Sequence, residues 1–174
     1  VFEKAFNKIV SKGQSAGGVQ SRAFGWAMRL FDDYASKKSE GETYQNLQWT
    51  LAKSLVFSSI SKKASDVFGG NIRCFISGGA PLAFRIAYFF DVCGLTICES
   101  SGMTETSAST HCNLDGRDGR LENRIGTCGP AMPGLEVRIA EDGEILMRGP
   151  QVMKGYFNLP QETAEALSPD GWLK

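Results

Sequence analysis

Apolar residues recur at helical spacing through the first third of the chain. Phe2, Phe6, Ile9 and Val10 form one stripe, and Phe24, Ala27, Met28 and Phe31 form a second. Between them, residues 13–18 are rich in Gly, Ser and Gln and read as a flexible connector. Beyond a polar stretch at 36–42, a third stripe runs through Tyr44, Leu47, Leu51, Leu55 and Val56, with Lys53, Lys62 and Lys63 towards solvent. Simple packing accounts for all three stripes, and no chemistry is expected on these helices.

The pattern changes near Val67. Residues 72–76 are a short apolar run bounded by Gly69-Gly70 and Gly78-Gly79, which fits a buried strand. Residues 77–81 make a turn, and 82–90 return as an apolar helix. Residues 95–98 then form a second buried strand, followed by a polar turn over 100–107. Strand, helix and strand at this spacing predict a βαβ unit with parallel strands, so the fold class is α/β. Downstream the period shortens to two: residues 136–139 and 144–148 flank Asp142-Gly143, a strong hairpin signal. Residues 160–167 predict a short helix with Pro160 in its first turn. The expected organisation is a helical segment at 1–65, a βαβ core carrying the candidate loops at 66–135, and a β-hairpin portion at 136–174.

Composition narrows the classes. A chain of 174 residues suits one ordinary domain, and 42% hydrophobic with 22% charged residues is a globular balance that excludes disorder. Nineteen basic and nineteen acidic residues cancel, which leaves no electrostatic footprint for nucleic acid. The apolar runs are too short to cross a bilayer. The five cysteines, Cys74, Cys93, Cys98, Cys112 and Cys128, include no CxxC pair and read as small hydrophobes in a reduced compartment. His111 has no Cys or His partner at ligand spacing and reads as a loop residue.

Ligands of open α/β sheets sit beyond the carboxyl ends of the strands, and both predicted strand ends carry unusual turns. The first, Ser77-Gly78-Gly79-Ala80-Pro81, places adjacent glycines where backbone can approach a flat ligand; the same glycines also serve a turn that is merely tight. The second, Glu99-Ser100-Ser101-Gly102-Met103-Thr104-Glu105-Thr106-Ser107, offers hydroxyls, amides and a carboxylate in one loop. That set suits a phosphate with Mg²⁺, which favours one or two carboxylates plus phosphate oxygens. It equally suits a helix capping box, and the residues alone leave both readings open.

At Ser101-Gly102-Met103-Thr104-Glu105-Thr106 the chain resembles the Tyr-Gly-x-Thr-Glu-Thr motif of the adenylate-forming enzymes. Other blocks of that superfamily follow in register. Ser77-Gly78-Gly79-Ala80-Pro81-Leu82 looks like the loop lining the adenine and acyl site. Gly126-Thr127-Cys128-Gly129-Pro130, continuing through 134–139, looks like the linker into the β subdomain. Gly143-Glu144-Ile145, Arg148-Gly149-Pro150, Met153, Gly155-Tyr156, Pro160 and Thr163 match the next block, and Asp170-Gly171-Trp172-Leu173-Lys174 the start of the one after. The opening residues, the helical insert and Phe89-Phe90 resemble the long-chain fatty acyl-CoA synthetase branch.

The resemblance implies an incomplete portion of the large N-terminal domain of an AMP-forming long-chain fatty acid–CoA ligase. The implied substrates are ATP, a fatty acid and CoA, with Mg²⁺ as cofactor and AMP as product. Carried over by position, Thr104 bonds the α-phosphate and Glu105 holds Mg²⁺. Gly78, Gly79, Ala80 and Pro81 form one side of the nucleotide pocket, with Glu99, Ser100 and Ser101 across from it. Gly102 and Met103 face the carboxylate end of the acyl chain. Ser101 departs from the family's tyrosine, and losing that aromatic face costs about 1–3 kcal/mol of stacking.

The family's phosphate loop is expected upstream of Val1, and its ribose-binding aspartate and C-terminal domain beyond Lys174, so this segment alone is expected to be inactive. A cytoplasmic location is expected, and a lipid substrate implies peripheral membrane association of the full-length protein. The alternatives are another adenylating branch (short-chain, luciferase-like or fatty acyl-AMP ligase) and a non-catalytic truncated homologue.

Overall fold

A computed structural model describes residues 1–67, 69–116 and 123–174, which divide into two compact units. The first comprises Val1–Phe75 and Leu82–Ile97. It contains α1 (Phe2–Gln14), α2 (Gly18–Ser39), α3 (Leu47–Ala52), a π-helical turn (Lys53–Phe57), α4 (Ser58–Val67) and α5 (Phe84–Val92). Among the described residues no helix is long and apolar enough to cross a membrane.

The core of this unit is aromatic. Phe31 and Phe89 are fully buried and meet edge-on at 5.6 Å, and Phe6 meets Phe89 edge-on at 4.9 Å. Tyr34 stacks on Trp49 with ring centres 4.6 Å apart. Such pairs add directional packing to the large apolar area each ring removes from water. The first two sequence stripes lie here as expected, with Phe6, Phe24, Ala27, Met28 and Phe31 in the core.

The third stripe packs only at its ends, where Tyr44 and Val56 are partly buried against the core. Leu47, Leu51 and Leu55 are 78%, 46% and 67% exposed, whereas Trp49, Ala52 and Phe57 are buried. Asn46 caps α3 by accepting the Trp49 N–H at 2.6 Å, and this sets the helix phase. The π-helical turn then adds a residue to the repeat and carries Phe57 inward. Two apolar faces compete on this helix, and the one bearing the larger rings wins.

The second unit comprises Ile76–Pro81 and Cys98–Lys174. It holds β3 (Ala108–Cys112) and all but the first residue of β1 (Phe75–Gly78) and of β2 (Ile97–Met103), with β2 between the other two. Phe75 donates its N–H to the Thr96 carbonyl, and Gly78 lies against the Ser100 carbonyl, so β1 and β2 advance in the same direction. β2 and β3 are antiparallel, and residues 100–103, expected as turn, are strand. The reversal is the 3₁₀ turn Thr104–Thr106, and His111 belongs to β3, not to a loop.

A second sheet pairs β4 (Glu136–Ile139) with β5 (Ile145–Arg148), closely as the alternation predicts. Its turn is closed by Glu144 N–H donating to Asp142 Oδ1 at 3.0 Å, with Gly143 at φ +91°. Met147 and Leu173 exchange backbone hydrogen bonds of 3.0 and 2.8 Å, which joins the chain end to β5. The short helix α6 spans Pro160–Ala166. No disulfide joins the five cysteines, all of which are among the described residues; burial pushes the Cys93 thiol up to about 12.

Candidate functional site

The β2–β3 hairpin is shaped by one backbone irregularity. The register runs Ser101 to His111 and then Gly102 to Ser109, so Thr110 is an extra residue on β3. A bulge of this kind bends the strand and re-aims its side chains. Thr110 is buried and satisfies its hydroxyl by donating to the Ser101 carbonyl at 3.1 Å. The strands approach so closely here that a Cβ on Gly102 would lie 1.7 Å from the Ala108 carbonyl oxygen. Only glycine fits at that position.

The apex is held by Thr106. Its Oγ1 accepts the Met103 N–H at 3.1 Å and lies 3.0 and 3.1 Å from the Met103 and Ala108 carbonyls. Ser107 and Ala108 take φ of +56° and +117°, conformations that cost a non-glycine residue about 1–3 kcal/mol. The capping expected of this loop is therefore real, and it leaves Thr104 exposed beside the turn. The phosphate reading and the capping reading are not exclusive: Thr106 does the capping while Thr104 faces solvent.

An open cleft of about 470 Å³ lies along this hairpin. Gly78, Gly79, Ser100, Ser101, Gly102, Met103 and Thr104 line it, together with Ser107, Ala108 and Ser109 from the returning strand. Ala80, Pro81, Glu99 and Glu105 do not line it. The Ser100 and Ser109 hydroxyls share a hydrogen bond of 2.8 Å, and Ser100 Oγ also donates to the His111 carbonyl at 2.8 Å. The cleft wall thus combines glycine backbone and serine and threonine hydroxyls with the apolar side chains of Met103 and Ala108, which suits a flat ligand with both apolar and polar groups.

The two carboxylates of the motif are engaged elsewhere. Glu99 Oε2 accepts the Gly126 N–H at 2.7 Å and ties β2 to the 126–130 turn. Buried Asn113 anchors the same turn: its amide bonds the Arg124 and Thr127 carbonyls, and its Oδ1 accepts the Arg124 N–H. Glu105 Oε1 accepts a hydrogen bond of 2.8 Å from the Tyr156 hydroxyl, and the Glu105 carbonyl accepts the Met153 N–H at 2.7 Å. The bond to Glu105 raises the Tyr156 phenol above its ordinary value. Sequence reasoning overlooked Ala108 and Ser109 as cleft residues because the strand carrying them was not expected, whereas Ser107 lay at the end of the candidate turn without an assigned role. Tyr156 lies 51 positions from Glu105, and no local pattern joins the two.

Among the described residues no group of three or more His, Cys, Asp or Glu side chains could hold a metal ion. A cation here would depend on Glu105 and on oxygens of a bound ligand, which is the manner of Mg²⁺ with nucleotide phosphates. The donor set fits that ion and no all-protein cage.

The chain has relatives among known proteins. A family model described as AMP-binding enzyme matches residues 26–157. The long-chain-fatty-acid–CoA ligase FadD15 of Mycobacterium bovis is 37% identical over all of this chain and 27% of its own length. The peroxisomal long chain acyl-CoA synthetase 7 of Arabidopsis thaliana is 32% identical over 99% of this chain and 25% of its own. Among solved structures, ATP-bound MatB of Rhodopseudomonas palustris is 32% identical, with a TM-score of 0.51 over 60% of this chain and 22% of that one. O-succinylbenzoate coenzyme A synthetase of Bacillus subtilis, in complex with ATP and magnesium ion, is 28% identical, with a TM-score of 0.50 over 59% of this chain and 23% of that one. The chain spans about a quarter of the length of the curated relatives it matches. With the family model matching residues 26–157, about three quarters of its length, this chain belongs to the AMP-binding enzyme family.

Proposed function

We propose that this segment forms part of the adenylate site of a long-chain fatty acid–CoA ligase. In the first step the fatty carboxylate oxygen attacks the α-phosphorus of ATP. The bond from that phosphorus to the bridging oxygen breaks, and pyrophosphate leaves with the electron pair. In the second step the CoA thiolate attacks the acyl carbon, and AMP departs as its carbon–oxygen bond breaks; the thiol proton goes to solvent. Mg²⁺ supplies charge neutralisation at the phosphates when bound.

The observation that carries this reading is the hairpin apex. It exposes Thr104, keeps Glu105 beside it, and lines a cleft with glycine backbone and hydroxyls. Thr104 donates to the α-phosphate, Glu105 takes the cation, and Gly78, Gly79, Ser100 and Ser101 border the nucleotide. Ala80 and Pro81 continue the same loop, Glu99 fixes the strand behind it, and Gly102 and Met103 border the reacting carboxylate. Catalysis of this kind is mostly positioning and electrostatic stabilisation. The relatives' names support fatty acid and CoA as the other substrates, and a lipid substrate favours a cytoplasmic protein that visits membrane surfaces.

The test is fatty-acid-dependent exchange of pyrophosphate into ATP by the intact ligase carrying this segment. Glu105→Gln is expected to lower exchange by about 100-fold or more, in line with the loss of one preorganised charge-stabilising group. Near-normal exchange in that variant overturns the assignment.

A further inference from the structure

The turn that carries Glu105 and the loop that carries Tyr156 are joined at two points. Met153 N–H donates to the Glu105 carbonyl at 2.7 Å, and the Tyr156 hydroxyl donates to Glu105 Oε1 at 2.8 Å. The Tyr156 backbone is itself held. Its N–H donates to Thr163 Oγ1 at 2.9 Å, and that hydroxyl donates to the Leu159 carbonyl at 2.7 Å. Gly155, at φ +144°, passes so close to Thr163 that a Cβ there would meet its methyl at 2.7 Å. A glycine, a threonine in the middle of α6 and a backbone amide thus combine to set one phenol against one carboxylate.

Stability alone is a poor reason for this construction. Tyr156 is 36% exposed, and a single solvent-accessible hydrogen bond contributes little to folding. Orientation is a better one. A free glutamate side chain samples several rotamers, whereas a hydrogen bond to one oxygen narrows its choice and leaves the other oxygen outside that bond. Carboxylates that bind metals are commonly held in this way, and loss of the holding group typically lowers metal affinity or activity about 10–100-fold.

We infer that Tyr156 is a positioning residue for Glu105, fixing Oε1 through its hydroxyl so that Oε2 is presented to the divalent cation accompanying ATP. This rests on the proposed role of Glu105. It adds that the 153–163 loop, far along the chain, tunes the cation site without touching nucleotide or acyl chain.

The test is a double-mutant cycle on the intact ligase, with Mn²⁺ as the probe. Its binding in the presence of a non-hydrolysable ATP analogue is followed by electron paramagnetic resonance. Tyr156→Phe is expected to weaken Mn²⁺ binding about tenfold with an unchanged melting temperature. In steady-state assays the same variant is expected to need more Mg²⁺ for half-maximal rate, while kcat at saturating Mg²⁺ recovers towards the parent value. In a Glu105→Gln background, Tyr156→Phe is expected to have no further effect, because its only route to the cation is gone. Native Mn²⁺ affinity in Tyr156→Phe, or an equal loss in both backgrounds, overturns the positioning role and leaves the Glu105 assignment intact. Unchanged Mn²⁺ binding in Glu105→Gln alone removes the cation assignment, and the positioning role with it.

Discussion

The two units of this chain are built on opposite principles. The helical unit buries large rings: Phe6, Phe24, Phe31, Trp49, Phe57 and Phe89 all lie in one apolar cluster. The unit carrying the cleft has a small apolar centre in Leu146, Met147, Trp172 and Leu173. It also holds every buried polar residue found among the described residues, namely Thr106, Thr110 and Asn113. Each of those three satisfies backbone groups of a turn or bulge beside the candidate site. The helical unit can therefore lose volume and pay in stability, while the cleft unit is sensitive to single hydrogen bonds and single atoms. Function is expected where geometry rests on satisfied polar groups, since those bonds have direction and apolar burial does not.

Phe31→Ala gives the largest expected effect and the sharpest contrast. Removing a ring that is fully buried against Phe57 and Phe89 should cost about 3–5 kcal/mol, read by chemical denaturation. Nucleotide affinity of the molecules that remain folded should be unchanged. A parallel loss of affinity would break the division drawn between the units. Asn113→Ala should be milder in stability, about 1–2 kcal/mol, because the Thr127 carbonyl and the Arg124 N–H lose their Asn113 partner, while the Arg124 carbonyl keeps its bonds from Thr127. Unlike Phe31→Ala, it should also lower nucleotide affinity, since Glu99 bonds Gly126 in that turn.

The same contrast explains what was legible beforehand. Helices with apolar stripes announced themselves because burial on one face imprints a period, and the β4–β5 hairpin was legible from its Asp-Gly turn, since its strands do not bury alternate residues. Residues 100–103 did not. Ser, Ser, Gly and Met read as turn, yet they pair with β3, and their polarity reflects a strand face that borders a cleft where a core would demand apolar residues. The strand at 108–112 was hidden for the same reason, and His111 with it. The first strand lies at Phe75–Gly78, not at 72–76, so glycine marks its end and does not follow it. Leu47, Leu51 and Leu55 show the converse failure, a regular stripe outcompeted by Trp49 and Phe57. Motif resemblance pointed to Thr104 and Glu105, but contacts such as Tyr156 to Glu105 are tertiary and leave no local trace.

Ser101→Tyr sharpens the account of the cleft. Ser101 lines it and is exposed, opposite His111 in the β2–β3 register, so a ring has room to lie along the wall. If adenine sits there, restoring the aromatic face should tighten ATP binding by about 1–3 kcal/mol, roughly fivefold or more. Calorimetry with ATP on the intact ligase checks it. No gain would mean that the base lies elsewhere in the cleft.

The smallest expected effect concerns pH, at the sheet beyond the cleft. Arg148 donates two hydrogen bonds to Glu136, from Nε to Oε1 at 3.0 Å and from Nη2 to Oε2 at 2.7 Å. The Arg148 hydrogen bond is the main cause that lowers the Glu136 carboxyl below its ordinary value of 4.5. The guanidinium also lies 4.7 Å from the Trp172 ring, whose other neighbour is Arg138 at 4.3 Å. A carboxyl lowered on folding contributes stability above its unfolded pKa, and that contribution is lost as pH falls through the folded value. Glu136→Gln should therefore lower the melting temperature slightly at neutral pH, and the difference from the parent should disappear as pH falls below about 4.5. Because the pair is exposed, added salt should shrink the difference. A difference that persists in high salt would show that Glu136 acts by setting the arginine on Trp172, which would move this pair from surface electrostatics into the packing of the second sheet.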